Sequence, residues 1–186
     1  FDENKTSNEL RLSAKYKISN KLTLGIESES GKKTDDIGFL QKKDGEIHFG
    51  RRDINSVENS LDLNFNIDNY KYLSLRFRNF WSTANYDNVL FSLKNDGMRE
   101  LTDHSKLDFD PNTNFNLWNL DLNFDWWFSP GSTITLQYKN QIFNRDNESG
   151  LKYYKSLKNL FEFPVEHQLS LRINYLIDFN KLRRND

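Results

Sequence analysis

Along most of the chain apolar and polar residues alternate with a period of two, which places one set of side chains on each face of an extended strand. Over residues 9–18 the apolar set is Leu10, Leu12, Ala14, Tyr16 and Ile18, against Glu9, Arg11, Ser13, Lys15 and Lys17. A turn at 19–21 leads to Leu22, Leu24 and Ile26. Residues 57–67 alternate again, with Leu61, Leu63, Phe65 and Ile67 opposite Glu58, Ser60, Asp62, Asn64 and Asn66. Beyond a second turn at 68–71, Leu73, Leu75, Phe77 and Trp81 face one way and Ser74, Arg76 and Arg78 the other. Trp118, Leu120, Leu122, Phe124, Trp126 and Phe128 then stand against Asn119, Asp121, Asn123 and Asp125. After Ser129-Pro130-Gly131-Ser132 come Ile134, Leu136, Tyr138 and Ile142. The last strand, 168–179, sets Leu169, Leu171, Ile173, Tyr175, Ile177 and Phe179 against Ser170, Arg172, Asn174 and Asp178. The pattern predicts an all-β protein with seven long strands, and a hairpin within 37–52 that turns at Asp44-Gly45.

The connections alternate in length: short near 19–21, 68–71 and 129–132, long near 28–56, 82–114 and 144–166. Within the last of these, residues 151–161 are a candidate for one helical turn or more. Short turns therefore gather at one end of the sheet and long loops at the other, as in bacterial outer-membrane barrels with periplasmic turns and extracellular loops. The expected fold class is a transmembrane antiparallel β-barrel of seven to eight strands, the eighth being 37–43 or 86–93. Single-chain bacterial barrels have even strand numbers, and no leader follows Phe1. Residues 1–186 are accordingly expected to be the C-terminal portion of a larger barrel.

A soluble sheet with one face on a core shows the same alternation, so the faces need further arguments. Aromatic residues gather near strand ends, which suits the two interfacial girdles of a barrel. Tyr16, Tyr70, Tyr72, Trp126, Phe128, Tyr175 and Phe179 lie by the short turns, and Phe80, Trp81, Phe115 and Trp118 by the long loops. Trp118 to Phe128 is ten residue steps, roughly 33 Å at ~3.3 Å each, or about 25 Å of height at a ~40° tilt. The opposite face carries Lys15, Lys17, Asp62, Arg76, Arg78, Asp121, Asp125, Lys139 and Arg172, which suits a hydrated lumen. Arg76 and Arg78 are expected to be flanked by Asp62 on one side and by Asp121 or Asp125 on the other, as charge ladders that brace the wall or select a solute.

Composition narrows the chemistry. The 186 residues hold 26 basic and 27 acidic side chains, for a net charge of -1, which leaves no basic surface for nucleic acid. Mean hydropathy is -0.83, and 15% of residues are aromatic, so apolar content is held largely in rings. The absence of cysteine rules out disulfides, thiolate zinc sites and thiol nucleophiles. No apolar run is long enough for a transmembrane helix. His48, His104 and His167 have no serine at an obvious pairing position, so no catalytic residues, enzyme activity or cofactor are expected. Asp108, Asp110 and Asn112 offer oxygen ligands at alternate positions, as calcium loops do. Thr113 stands where the turn glycine belongs and Asn119 where the closing Glu does, which favours a solvated loop over a metal site.

Four stretches carry a resemblance. They are Phe49-Gly50-Arg51-Arg52-Asp53 with Val57-Glu58-Asn59-Ser60-Leu61, then Phe128-Ser129-Pro130-Gly131-Ser132, then Leu169-Ser170-Leu171-Arg172-Ile173-Asn174-Tyr175 through Asp178. In them the chain resembles the C-terminal barrel of domain-of-unknown-function outer-membrane proteins that carry an N-terminal carbohydrate-binding family 9-like domain. The resemblance implies a bacterial outer-membrane location and a glycan-associated module, but no site residues. The expected role is a membrane anchor or conduit for that module, in surface polysaccharide handling or transport. Its expected partners are the lipid bilayer and lipopolysaccharide, a glycan, and other outer-membrane proteins. Two alternatives stay open: a structural subunit of a larger outer-membrane complex, and a soluble all-β binding protein.

Overall fold

The computed structural model describes residues 5–43, 45–94, 96–102 and 107–177. Its strands are β1 (Thr6–Lys17), β2 (Leu22–Lys43), β3 (Glu46–Asn66), β4 (Lys71–Leu93), β5 (Arg99–Thr102), β6 (Thr113–Ser129), β7 (Ser132–Asp146) and β8 (Glu166–Asn174). One helix, α1 (Tyr153–Leu160), precedes β8. All strands belong to a single antiparallel sheet in the order β1-β2-β3-β4-β6-β7-β8, with β5 paired to β4 beyond the end of β6. Among the described residues β1 and β8 pair only with β2 and β7, so the sheet is open at both edges.

Each short turn is closed by local bonds. The Ser19 hydroxyl accepts the Lys21 and Leu22 amides, and the Asp68 carboxylate accepts the Tyr70 amide. Gly131, at φ 73°, supplies the left-handed residue of the 129–132 turn. At the other end the expected loops prove to be largely strand, which corrects the sequence reading. Residues 28–43 and 46–56 extend β2 and β3, which meet at Gly45 (φ 85°), with Asp44 outside the described residues. Residues 82–93 extend β4, and α1 occupies part of 144–166. Backbone ladder bonds need no apolar side chains, so the polar run 28–33 continues the pairing of the Leu22–Ile26 segment with β3, which resumes at Asp36 after a bulge. At 22 residues β2 extends ~70 Å at ~3.3 Å per residue, more than twice the ~30 Å of a bilayer core.

The pairing register sorts the side chains into two faces. On one, Leu24, Leu63, Leu75, Leu122, Tyr138 and Leu169 stand in a single cross-strand row. The rows on either side of it, Phe65-Leu73-Phe124-Leu136-Leu171 and Ile26-Leu61-Phe77-Leu120, make an apolar band across the sheet. The other face at that height is charged, amide or hydroxyl, apart from Gly25.

No residue of these three rows is buried; most are partly shielded by their neighbours in the sheet, and Ile26, Leu136, Leu169 and Leu171 are exposed. Trp81, Leu90, Ile142 and Leu160 are the only buried hydrophobics among the described residues, whereas Leu12, Tyr16, Ile26, Leu136, Leu169, Leu171 and Ile173 are all exposed. The chain presents 13309 Å² to its surroundings, against about 9,400 Å² for a compact soluble monomer of its mass. Burying apolar area is the main favourable term in folding in water, and this sheet leaves that area open.

Candidate functional site

The charged face carries one continuous ionic row. Register places Lys15, Gly25, Asp62, Arg76, Asp121, Lys139 and Gln168 side by side across seven strands. The Arg76 guanidinium donates to Asp62 at 2.5 Å, and Asp121 lies 3.8 Å from both Arg78 and Lys139. One row towards the short turns, Gln137 donates to Asn123 at 2.7 Å; beyond it, Thr135 donates to Asp125 at 2.7 Å beside Arg172. Farther up, Arg11 pairs with Glu29 and Glu27. Because the basic partner of each pair is about half-exposed or more, solvent screens these pairs and each adds little to stability. Their value lies in fixing alternating charge at one height. Lys15 and Lys17 lie on the same face of the open edge strand β1 and are exposed.

Above the apolar band the polarity of the two faces inverts. On the formerly charged side Phe80, Phe115 and Phe143 pack edge to face at 5.7 and 5.4 Å. On the formerly apolar side amides enter the rows: Asn59-Asn79 ahead of Trp118-Ile142, then Trp81-Asn116-Asn144, then Thr83-Asn114-Asp146. Helix α1 lies on these amides. The Tyr153 hydroxyl donates to Asn79 Oδ1 at 2.8 Å and accepts from Asn59 Nδ2 at 2.9 Å. Asn116 Nδ2 donates to the Ser156 hydroxyl, which donates to Asn114 Oδ1, both at 3.1 Å. The Trp81 indole donates to the same Asn114 oxygen at 3.0 Å. Asn79 also donates to Asn116 and to the Leu117 carbonyl, so its buried amide is satisfied on both sides.

The aromatic residues expected at the interfaces divide accordingly. Trp81 is a correction: it is buried beneath Tyr153, 5.7 Å away, and presents no ring to an interface. Trp118 packs on Phe77 and is edge-capped by Phe161, at the upper limit of the apolar band. By the short turns, Trp126, Phe128 and Tyr175 form a run of rings 5.8 and 6.2 Å apart, with Lys71 over Trp126. Tyr16 is exposed on β1, while Tyr72 turns to the other face and bonds Asn64. Phe179 lies outside the described residues. Trp126 to Gly131 and Asp68 to Lys71 line an open cleft of about 690 Å³ between two turns.

The remaining candidates carry no assembled chemistry. Lys43 holds the Asp108 carboxylate at 2.6 Å, Asp110 accepts the Asn112 amide, and Asn112 Oδ1 accepts the Tyr86 amide. Each of the three side chains of the calcium candidate is thus engaged by a different group, and no group of metal-binding side chains occurs among the described residues. His48 is buried with Nδ1 unbonded, His167 bonds Tyr138, and His104 lies outside the described residues. Sequence reasoning missed the amide cluster and α1's place on it, although Asn112, Asn114 and Asn116 alternate. A search for apolar residues at alternate positions passes over amides that do the same.

Near the long-strand tip, Asp36 is buried and paired to Lys5 at 2.7 Å and to Arg52 at 3.0 Å. Burial opposes its ionisation, but the hydrogen bonds from Lys5 and Arg52 prevail and hold its carboxyl below the ordinary value.

No curated protein and no solved structure matches the chain. Residues 1–185 match the family described as "Domain of unknown function (DUF5916)", and over that length the chain belongs to this family.

Proposed function

We propose that this chain forms part of the wall of a transmembrane β-barrel in a bacterial outer membrane, where it anchors, or opens a conduit for, a glycan-associated module. The observation that carries the reading is the two-faced sheet: an uncovered apolar band backs directly onto an ionic row at the same height. Hydrocarbon tolerates such a band and water does not. The two open edges support further strands in the same wall, since a spanning sheet has no unpaired edge in lipid. The rings of Trp126, Phe128 and Tyr175 would sit at the periplasmic interface and Trp118 with Phe161 at the outer one. The glycan association rests on the family resemblance alone.

Fractionation tests the location. The chain is expected in the detergent-extracted outer-membrane fraction with heat-modifiable mobility; recovery from the soluble fraction without detergent refutes the reading.

A second reading, a structural wall that conducts nothing, is favoured by the paired state of Asp62, Arg76, Arg78, Asp121 and Lys139, which braces neighbouring strands. Planar-bilayer recording separates the two: discrete conductance supports the conduit, and a silent barrel that co-purifies with other outer-membrane proteins supports the brace.

A further inference from the structure

A short helix on the same face as the apolar band is unexpected in a barrel wall, and its outward side is chemically distinct. Its inward side is fixed: Tyr153 and Ser156 bond the amide rows, Leu160 is buried, and Phe161 caps Trp118. Its outward side carries Lys152, Lys155 and Lys158, all exposed, one helical turn apart along a single stripe. None of the three has a carboxylate within 4.0 Å among the described residues, a state they share with Lys32 and Lys33 of β2, whereas Lys5, Lys43, Lys71, Lys94 and Lys139 are paired. Directly after the helix, Phe161, Phe163 and Val165 are exposed at alternate positions as the chain runs down to β8. Cations on the helix followed at once by exposed apolar side chains form the profile of an element lying at a membrane surface.

We propose that residues 152–165 form a headgroup site on the outer wall, in which Lys152, Lys155 and Lys158 bind the phosphates of an anionic outer-leaflet glycolipid while Phe161, Phe163 and Val165 rest on its acyl chains. The inference rests on the barrel reading, which supplies the level at which this segment meets lipid. The geometry supports a phosphate rather than a neutral sugar, because ammonium groups at this spacing supply charge and donors but no acceptors. A bilayer phosphate approaches all three at once, since the helix is held against the wall and cannot turn its stripe inwards.

The test uses the full chain in detergent, with diphosphoryl lipid A and phosphate-free lipid A as probes. The wild type is expected to bind the diphosphoryl form more tightly, and the combined Lys152→Gln, Lys155→Gln and Lys158→Gln variant to lose about fivefold in affinity for each lysine removed. Lys32→Gln with Lys33→Gln, exposed lysines on β2, serves as the control and should bind as the wild type does. Equal binding of the two lipids, or wild-type affinity in the triple variant, overturns the site. Outer-membrane fractionation is read in parallel. A chain that inserts yet shows no phosphate dependence loses only the headgroup site, and one that stays soluble loses the barrel and the site together.

Discussion

Replacing Tyr153 with Phe removes one hydroxyl and leaves two amides each short of a partner. Asn79 is 1% exposed; it keeps the bonds from its Nδ2 to Asn116 and Leu117, but its Oδ1 loses the Tyr153 donor. An acceptor buried without a partner costs about 1–3 kcal/mol. Asn59 is only half-buried and still accepts from Ser28 at 2.8 Å, so water replaces what its Nδ2 loses at little cost. The whole penalty falls on α1, because the strands beneath keep their ladders. It should therefore appear as local opening rather than global unfolding. Tryptic cleavage after Lys152, Lys155 and Lys158 reports that opening, and in the fast-closing regime its rate should rise about 5- to 150-fold, the equivalent of ~1–3 kcal/mol. Tyr153→Ala, which also removes the ring from Trp81, should open the segment further. Unchanged cleavage in Tyr153→Phe would refute the view that the amide bonds hold the helix down.

Two further outcomes follow from the geometry. Asp36 has a folded carboxyl value below 3.8, so its pairing with Lys5 and Arg52 contributes stability at pH values above the unfolded value, and that stability is lost as pH falls through the folded one. Acid unfolding of the β2–β3 tip should therefore begin below pH ~4, and Asp36→Asn should flatten that limb; a limb of unchanged steepness would remove Asp36 as its cause. Trp126 shares the apolar face with Leu122 and Phe124, whereas Trp127 alternates away from it. Trp126→Asp should reduce the assembled, heat-modifiable fraction more than Trp127→Asp, and equal effects would undo the assignment of faces.

The lower halves of the strands were legible because their alternation is carried by Leu, Ile and Phe, and register followed wherever a short turn joined two such runs. Leu61 opposite Phe77 and Leu63 opposite Leu75 are examples. The ionic row was legible for the same reason: Asp62, Arg76 and Asp121 occupy the polar slots of runs whose apolar slots fix the pairing. The upper halves were not. Residues 28–36 hold Ser, Glu, Gly, Lys, Thr and Asp, which read as loop, yet their backbone pairs with β3 through a bulge in which Asp35 adopts φ 55° and donates its amide to Asp53. Trp81 continued the apolar series and does lie on that face, but nothing in its own neighbourhood signals that a helix seventy residues downstream covers it. The helix itself was legible in residues 151–161, although its docking surface, built of Asn79, Asn114 and Asn116, was not.

The central claim is that the apolar face of β6 meets lipid and the other face meets water. With no native cysteine in the chain, single cysteines at positions 119–124 can each be labelled with an environment-sensitive fluorophore after reconstitution into vesicles. Quenching is expected with a period of two: probes at Leu120, Leu122 and Phe124 quenched by a lipid-phase nitroxide, and probes at Asn119, Asp121 and Asn123 quenched by aqueous iodide. Probes at all six positions that ignore the lipid-phase quencher would contradict it.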